Sequence, residues 1–119
     1  MKFRQIIEAL PSLQKLAKQD LSIKKLYKIS KLLGSLEQEI AFYNVQRNKI
    51  FEQHCDIVGN QYVARAGEEE ALNAAIGELL DTEVECDVQE VVIGIDEDVK
   101  LSYNDLVALT GLVRIEEDE

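Results

Sequence analysis

The residues that could do chemistry in this sequence are mainly six carboxylates in its second half. They are Glu83, Glu85, Asp87, Asp96, Glu97 and Asp98. The first three alternate with apolar residues, so on a strand they would project from one face and not converge as an acid–base pair. The last three are consecutive and lack the alternating acids, glycine and terminal glutamate of a calcium loop. We therefore expect them to form an acidic surface, without metal binding or catalysis.

The one histidine and two cysteines do not form a recognisable site either. Cys55 and Cys86 are far apart in the sequence, as in a protein whose thiols stay reduced. A zinc site needs about four ligands, and His54 with Cys55 supplies at most two. Neighbouring side chains on a helix point about 100° apart, so these two are not a catalytic dyad. With no glycine-rich phosphate loop and no Ser-His-Asp set, the sequence predicts a protein that is not an enzyme and takes no cofactor.

Lysines follow one face of the region after residue 22. Lys24, Lys28 and Lys31 are three and four residues apart, which on a helix places them together. They could bind phosphate, remain solvated, or meet the acidic half of the chain. Direct nucleic-acid binding is not expected, because the net charge is −10 and no aromatic residues interleave with these lysines.

The charge is divided unevenly along the chain. Residues 1–55 carry a net charge of +5, and residues 56–119 carry −15. Such asymmetry indicates an electrostatic role, or two halves that dock on each other, although both could also be solvated faces.

The element that must organise these residues is a long helix from Ser22 to His54. Its apolar residues recur in steps of three and four, giving a continuous seam over about 45–50 Å. The seam consists of Leu26, Ile29, Leu33, Leu36, Ile40, Tyr43 and Ile50. It needs a partner helix from this chain or from another copy. Arg47 and His54 interrupt it, so there we expect the seam to open to solvent or to meet a carboxylate.

The partner within the chain is a first helix in residues 1–19. Pro11 lies inside its apolar pattern, which predicts either one kinked helix or a helix that begins near the proline. A five-residue connector separates it from the long helix, and Asp20 or Ser22 can cap the second helix. Such a short link predicts an antiparallel helical hairpin.

The second half of the chain alternates between strand and helix patterns. The predicted elements are strands at 61–64, 83–88, 91–95 and 112–115, and helices that begin near Gly67 and at Ser102. The sequence thus predicts an α+β fold, with a small, mostly antiparallel sheet and two shorter helices packed on the helical hairpin. We expect a single domain, 1–119, made of a basic helical hairpin (1–55), an acidic α/β part (56–115) and an acidic tail (116–119). No signal peptide or membrane-spanning run is apparent, so we expect a soluble protein without membrane contact.

Four segments carry a resemblance to a known family. They are Ile6–Leu16, Leu26–Leu32, Glu78–Val88 and Leu101–Leu109. With them the chain resembles a family of small proteins of unknown function from phages of Gram-positive bacteria. The resemblance implies a phage accessory protein in the host cytoplasm, or a minor component of the virion or its assembly pathway. It assigns no functional residues.

Two functions are consistent with these features. The first is non-catalytic binding of a host or phage protein. In its most specific form, the six carboxylates would bind and block a basic nucleic-acid-binding site on a host protein. The alternative is a structural or assembly protein that forms a homo-oligomer through the seam of the long helix. An enzyme with an unrecognised site would instead show a concave pocket lined by converging polar groups.

Overall fold

The computed structural model describes residues 1–85, 89–94 and 98–116. These residues form four helices and four strands. In chain order they are α1 (Phe3–Ala17), α2 (Ile23–His54), β1 (Cys55–Val58), β2 (Gln61–Ala64), α3 (Glu69–Leu80), β3 (Val91–Gly94), α4 (Tyr103–Ala108) and β4 (Val113–Glu116). The predicted α+β class is confirmed. No described helix is both long enough and apolar enough to cross a membrane.

The helices α1 and α2 form the predicted hairpin. Ser22 caps α2, and its hydroxyl accepts a hydrogen bond from the Lys25 N–H at 3.4 Å. The ring of Phe3, at the start of α1, contacts Tyr43 at a centroid distance of 5.6 Å. The chain has therefore reversed, and α1 lies antiparallel to the first two thirds of α2. Of the two forms predicted for residues 1–19, the structure has one helix that continues through Pro11.

The core lies between these helices and a layer from the second half of the chain. The buried residues are Ile6, Ala9, Leu13 and Leu16 of α1, Ile29, Leu32 and Leu36 of α2, and Val91, Ile93, Leu109 and Leu112 of the covering layer. The layer thus covers the helical hairpin near the α1–α2 connection. The C-terminal end of α2 extends past the start of α1, and α2 also packs against α3, none of whose residues is fully buried.

The strands form two separate sheets in place of the single, mostly antiparallel sheet that we expected. β1 and β2 are an antiparallel hairpin, with Gly59 at φ 65° in its turn. β3 and β4 pair in parallel. Parallel strands need a long crossover connection, and here the segment containing α4 provides it.

The strand predicted at 83–88 is not present in its described part. Glu83 forms one isolated bridge with Lys2, and the Val84 N–H donates to the Met1 carbonyl at 2.7 Å. Residues 86–88 lie outside the described part of the chain.

Candidate interaction site

The six carboxylates predicted to form one acidic surface have different surroundings. Glu83 accepts a hydrogen bond from the Met1 ammonium group at 2.9 Å, and this contact lowers the pKa of Glu83. Glu85 and Asp98 are exposed. Asp87, Asp96 and Glu97 lie outside the described residues. All three described members of the predicted surface are therefore exposed, and one of them, Glu83, is paired with the Met1 ammonium group.

Ion pairs join the basic helix α1 to the acidic second half. Arg4 Nε lies 3.2 Å from Asp81 Oδ1, and Lys15 Nζ lies 2.7 Å from Asp105 Oδ2. Both pairs link residues more than 70 positions apart, so part of the basic half does meet the acidic half. Exposed pairs of this kind contribute only about 0–1 kcal/mol each, and their main effect is to orient the packing.

The lysine face of α2 borders a cavity of about 420 Å³. Lys28 and Lys31 line it together with Ser35 on one side, and Gln89 and Glu90 line the other. The Lys31 ammonium lies 5.3 Å from the centroid of the Tyr27 ring. Because Glu90 brings a carboxylate to the same cavity, the charges do not converge on one anionic ligand.

The predicted seam lies mainly within the chain's own packing. Ile29, Leu36 and Tyr43 are buried, whereas Leu26, Leu33, Ile40 and Ile50 are partly buried. The centre of the seam thus contacts α1, and its flank retains accessible surface.

The two polar interruptions of the seam differ. His54 Nδ1 lies 3.5 Å from a carboxylate oxygen of Glu68, as expected near the helix end. The Arg47 guanidinium instead lies 5.9 Å from the Tyr43 ring centroid, and no described residue accepts a hydrogen bond from its buried Nε. Arg47 lines a second cavity, of about 240 Å³, between α1 and α2.

The hairpin β1–β2 carries most of the exposed apolar surface at the far end of α2. The exposed fractions are 68% for Ile57, 62% for Val58, 41% for Tyr62 and 48% for Val63. The Tyr62 ring stacks on Phe51 of α2 at 5.0 Å. Sequence reasoning treated this region as a turn with one strand, although two apolar pairs flanking Gly59-Asn60 are the pattern of a hairpin.

Arg65 attaches the hairpin to the end of α2. Its guanidinium donates to the carbonyls of Gln53 at 2.9 Å and of Glu52 and Cys55 at 3.2 Å. Asp56 accepts a further hydrogen bond at 3.0 Å, which raises the pKa of Arg65. The last carbonyls of a helix have no partners within it and carry partial negative charge, so a guanidinium is well suited to cap them.

Comparisons with protein-family models, with characterised proteins and with solved structures found no match. In the described residues no three potential metal-ligating side chains come together. The role of the exposed apolar side chains on the hairpin β1–β2 therefore has to be inferred from the structure itself.

Proposed function

We propose that this chain is a non-catalytic protein-binding module whose contact surface is the hairpin β1–β2. The observation that carries the proposal is the exposure of Ile57, Val58, Tyr62 and Val63 on adjacent strands. The register places Ile57 and Tyr62 on one face of the ribbon and Val58 and Val63 on the other, so both faces expose apolar side chains. Exposed apolar surface of this kind marks interaction sites on soluble proteins. An isolated two-stranded ribbon also has two unpaired edges, which a partner strand or groove can cover.

The surroundings of the hairpin define the chemistry of the partner. Glu69 and Glu70 are exposed in the first turn of α3, shortly after β2, whereas the nearby Asp56 is paired with Arg65. The partner surface should therefore combine an apolar groove with a basic rim, since opposite charges at the rim speed association and select the orientation. A basic nucleic-acid-binding site on a host protein has such a rim, and the phage resemblance supports a host protein as the partner.

The six-carboxylate surface is a more specific form of the same proposal. Its described members are Glu83, Glu85 and Asp98, all exposed, of which Glu83 is paired with the Met1 ammonium group. Contacts of exposed charges are screened by salt, whereas apolar contacts are not. Salt dependence therefore separates binding through the carboxylates from binding through the hairpin. Action in the host cytoplasm or in the virion is likewise proposed from the resemblance alone.

A capture experiment with two double variants tests the hairpin. Tagged protein is incubated with nuclease-treated bacterial lysate, and captured proteins are quantified by mass spectrometry. Ile57→Ser with Val58→Ser should reduce recovery of the partner by about tenfold or more, as expected when two central apolar contacts are lost. Val45→Ser with Val107→Ser is the matched control, because those residues are 52% and 55% exposed but lie elsewhere.

The outcomes separate the two surfaces. A partner lost with the hairpin variant and retained by the control at both low and high salt supports the hairpin. A partner released by high salt, and lost with Glu85→Gln and Asp98→Asn instead, would place the site on the carboxylates. Equal recovery with the hairpin variant and the control would overturn the proposal.

A further inference from the structure

One side of the helical hairpin α1–α2 is not covered by the residues that the structure describes. The layer containing β3 packs on the side of α2 that carries Leu32 and Ser35. Asn44 is nine residues after Ser35 and so points about 180° away around the helix. There the cavity of about 240 Å³ is lined within the described chain by α1 and α2 alone.

The residues on the uncovered side are regularly spaced, and we call this side the open face. On α2 its residues follow one another in steps of four and three. They are Leu33, Glu37, Ile40, Asn44, Arg47 and Phe51. Ile7 and Leu10 of α1 border them across the cavity. All of these except Glu37 are partly buried, so the face is recessed and mostly apolar. Tyr62 stacks on Phe51 at one end, and the described residues leave the rest of the face open.

Arg47 indicates what the open face lacks. Arg47 is partly buried, and its guanidinium forms no ion pair with a described residue, although proteins normally pair a guanidinium when they bury it. The missing group is therefore an acceptor, and for a guanidinium the best acceptor is a carboxylate. The open face contains one carboxylate of its own, Glu37, but ten residues of helix place it about 15 Å away along α2.

That spacing makes the open face complementary to itself. If two α2 helices pack antiparallel about a two-fold axis at the level of Phe42, each residue meets the one equally far from that level in the other copy. Glu37 then faces Arg47 of the second copy, and the contact occurs twice. In the same register Ile40 faces Asn44, and Leu33 faces Phe51 of the second copy, so each ion pair lies between an apolar contact and a mixed one.

We propose that two copies of this chain form a symmetric dimer through the open face, in which the Arg47 guanidinium of each copy donates to the Glu37 carboxylate of the other. The inference goes beyond partner binding at the hairpin and uses a different surface, so either can fail alone. An α2 strip from Leu33 to Phe51 is about 27 Å long. With the adjoining part of α1, two such faces bury on the order of 1,000 Å², the lower end for a specific interface. The dimer should therefore be reversible.

Substitutions that reverse the charges of Glu37 and Arg47 in the full chain test this pairing. Sedimentation velocity from about 1 to 200 μM, a range that brackets a micromolar dissociation constant, should show a monomer–dimer equilibrium for the wild type. Glu37→Arg places two guanidinium groups opposite each other, and should raise the dissociation constant by about tenfold or more. Arg47→Glu should do the same. Together the two substitutions restore opposite charges and should recover most of the lost affinity, which a purely structural role would not produce.

The controls address folding and location. Glu52→Arg makes the same charge change on a different face of α2 and should leave the dissociation constant within about threefold. Circular dichroism shows whether each variant is folded, and Glu37→Gln replaces Glu37→Arg if the latter is not. A wild type that is monomeric throughout overturns the proposal. So does a dimer that neither single substitution weakens.

Discussion

Asp105 shows how much one side chain can organise in this fold. Its carboxylate accepts hydrogen bonds from the Lys15 ammonium at 2.7 Å, the Ser12 hydroxyl at 2.8 Å and the Ser102 N–H at 2.9 Å. It thereby caps α4 and attaches that helix to α1. Lys15 lowers the pKa of Asp105 most, and the Ser102 N–H and the Ser12 hydroxyl lower it further.

Acid should therefore weaken the attachment of α4. A carboxylate whose pKa is lowered by folding stabilises the protein above its unfolded pKa, about 3.9 for Asp, and this contribution is lost as the pH falls below that value. Asp105→Asn should lower the melting temperature on the order of 5 °C at pH 7. By pH 3 the difference from wild type should have narrowed, as followed by circular dichroism. Asp98→Asn, at an exposed position, serves as the control. A difference that stays constant with pH would contradict this account.

Among the elements, α1 combines the best-buried side chains with a proline in its interior. Pro11 has no N–H to donate to the carbonyl of Ile7, yet α1 continues through it. Ile6, Leu13 and Leu16, on either side of Pro11 in the sequence, are fully buried. Burial of each such side chain contributes about 1.5–3 kcal/mol, so packing outweighs the lost hydrogen bond.

Replacing the proline should therefore stabilise the protein. Pro11→Ala restores the hydrogen bond and removes a clash, gains that the greater freedom of the unfolded chain partly offsets, for a net increase of about 1–2 kcal/mol in the free energy of unfolding. Urea denaturation at low protein concentration measures it. The control Gln14→Ala, on the same helix, should change the free energy of unfolding by less than about 0.5 kcal/mol. A loss of stability in Pro11→Ala would mean that Pro11 makes packing contacts that alanine cannot replace.

At the scale of the whole molecule, the charge is unevenly distributed and the described chain is elongated. The described chain extends 60 × 28 × 22 Å. Lys24 and Lys28 have no carboxylate within ion-pair distance in the described residues, whereas the second half of the chain holds a charge of −15. Arg4 and Lys15 neutralise two of its carboxylates. Repulsion among the rest should oppose folding.

Salt should consequently stabilise this protein. Raising sodium chloride from 0.02 to 0.5 M shortens the screening distance to about 4 Å, and the melting temperature should rise by about 3–5 °C. The exposed ion pairs weaken too, but each contributes little. Choline chloride at equal ionic strength should give the same rise, because screening does not depend on the cation. A melting temperature that falls with either salt would show that attractive pairs dominate.

The features that could be predicted from the sequence are those with local causes. Ser22 begins α2, Ser102 and Asp105 form the capping box of α4, and Gly111 follows that helix at φ 87°. Each depends on residues within one or two turns of the chain. The seam of α2 was equally visible because its period repeats along the whole helix.

Strand partners and the interaction surface could not be predicted in this way. Alternation at residues 83–88 indicated a strand, but pairing depends on what lies alongside, and in the described part Glu83 forms a single isolated bridge with Lys2. The parallel pairing of Val91 with Val113 depends on where α4 packs. Arg65 contacts carbonyls ten or more residues earlier, which no local pattern indicates. The uncovered side of α2 became apparent only when the covered side was known.

The junction between α2 and β1 has a mechanical consequence. His54 ends the helix, Cys55 begins the strand, and Arg65 fastens the hairpin across that junction. Because no linker separates the helix from the hairpin, we expect the two to move as one rigid unit. A load applied at the hairpin is transmitted along the full length of α2, about 48 Å, so a tilt of 10° there displaces the opposite end by about 8 Å. A protein bound to this hairpin would therefore control the position of the opposite end of α2.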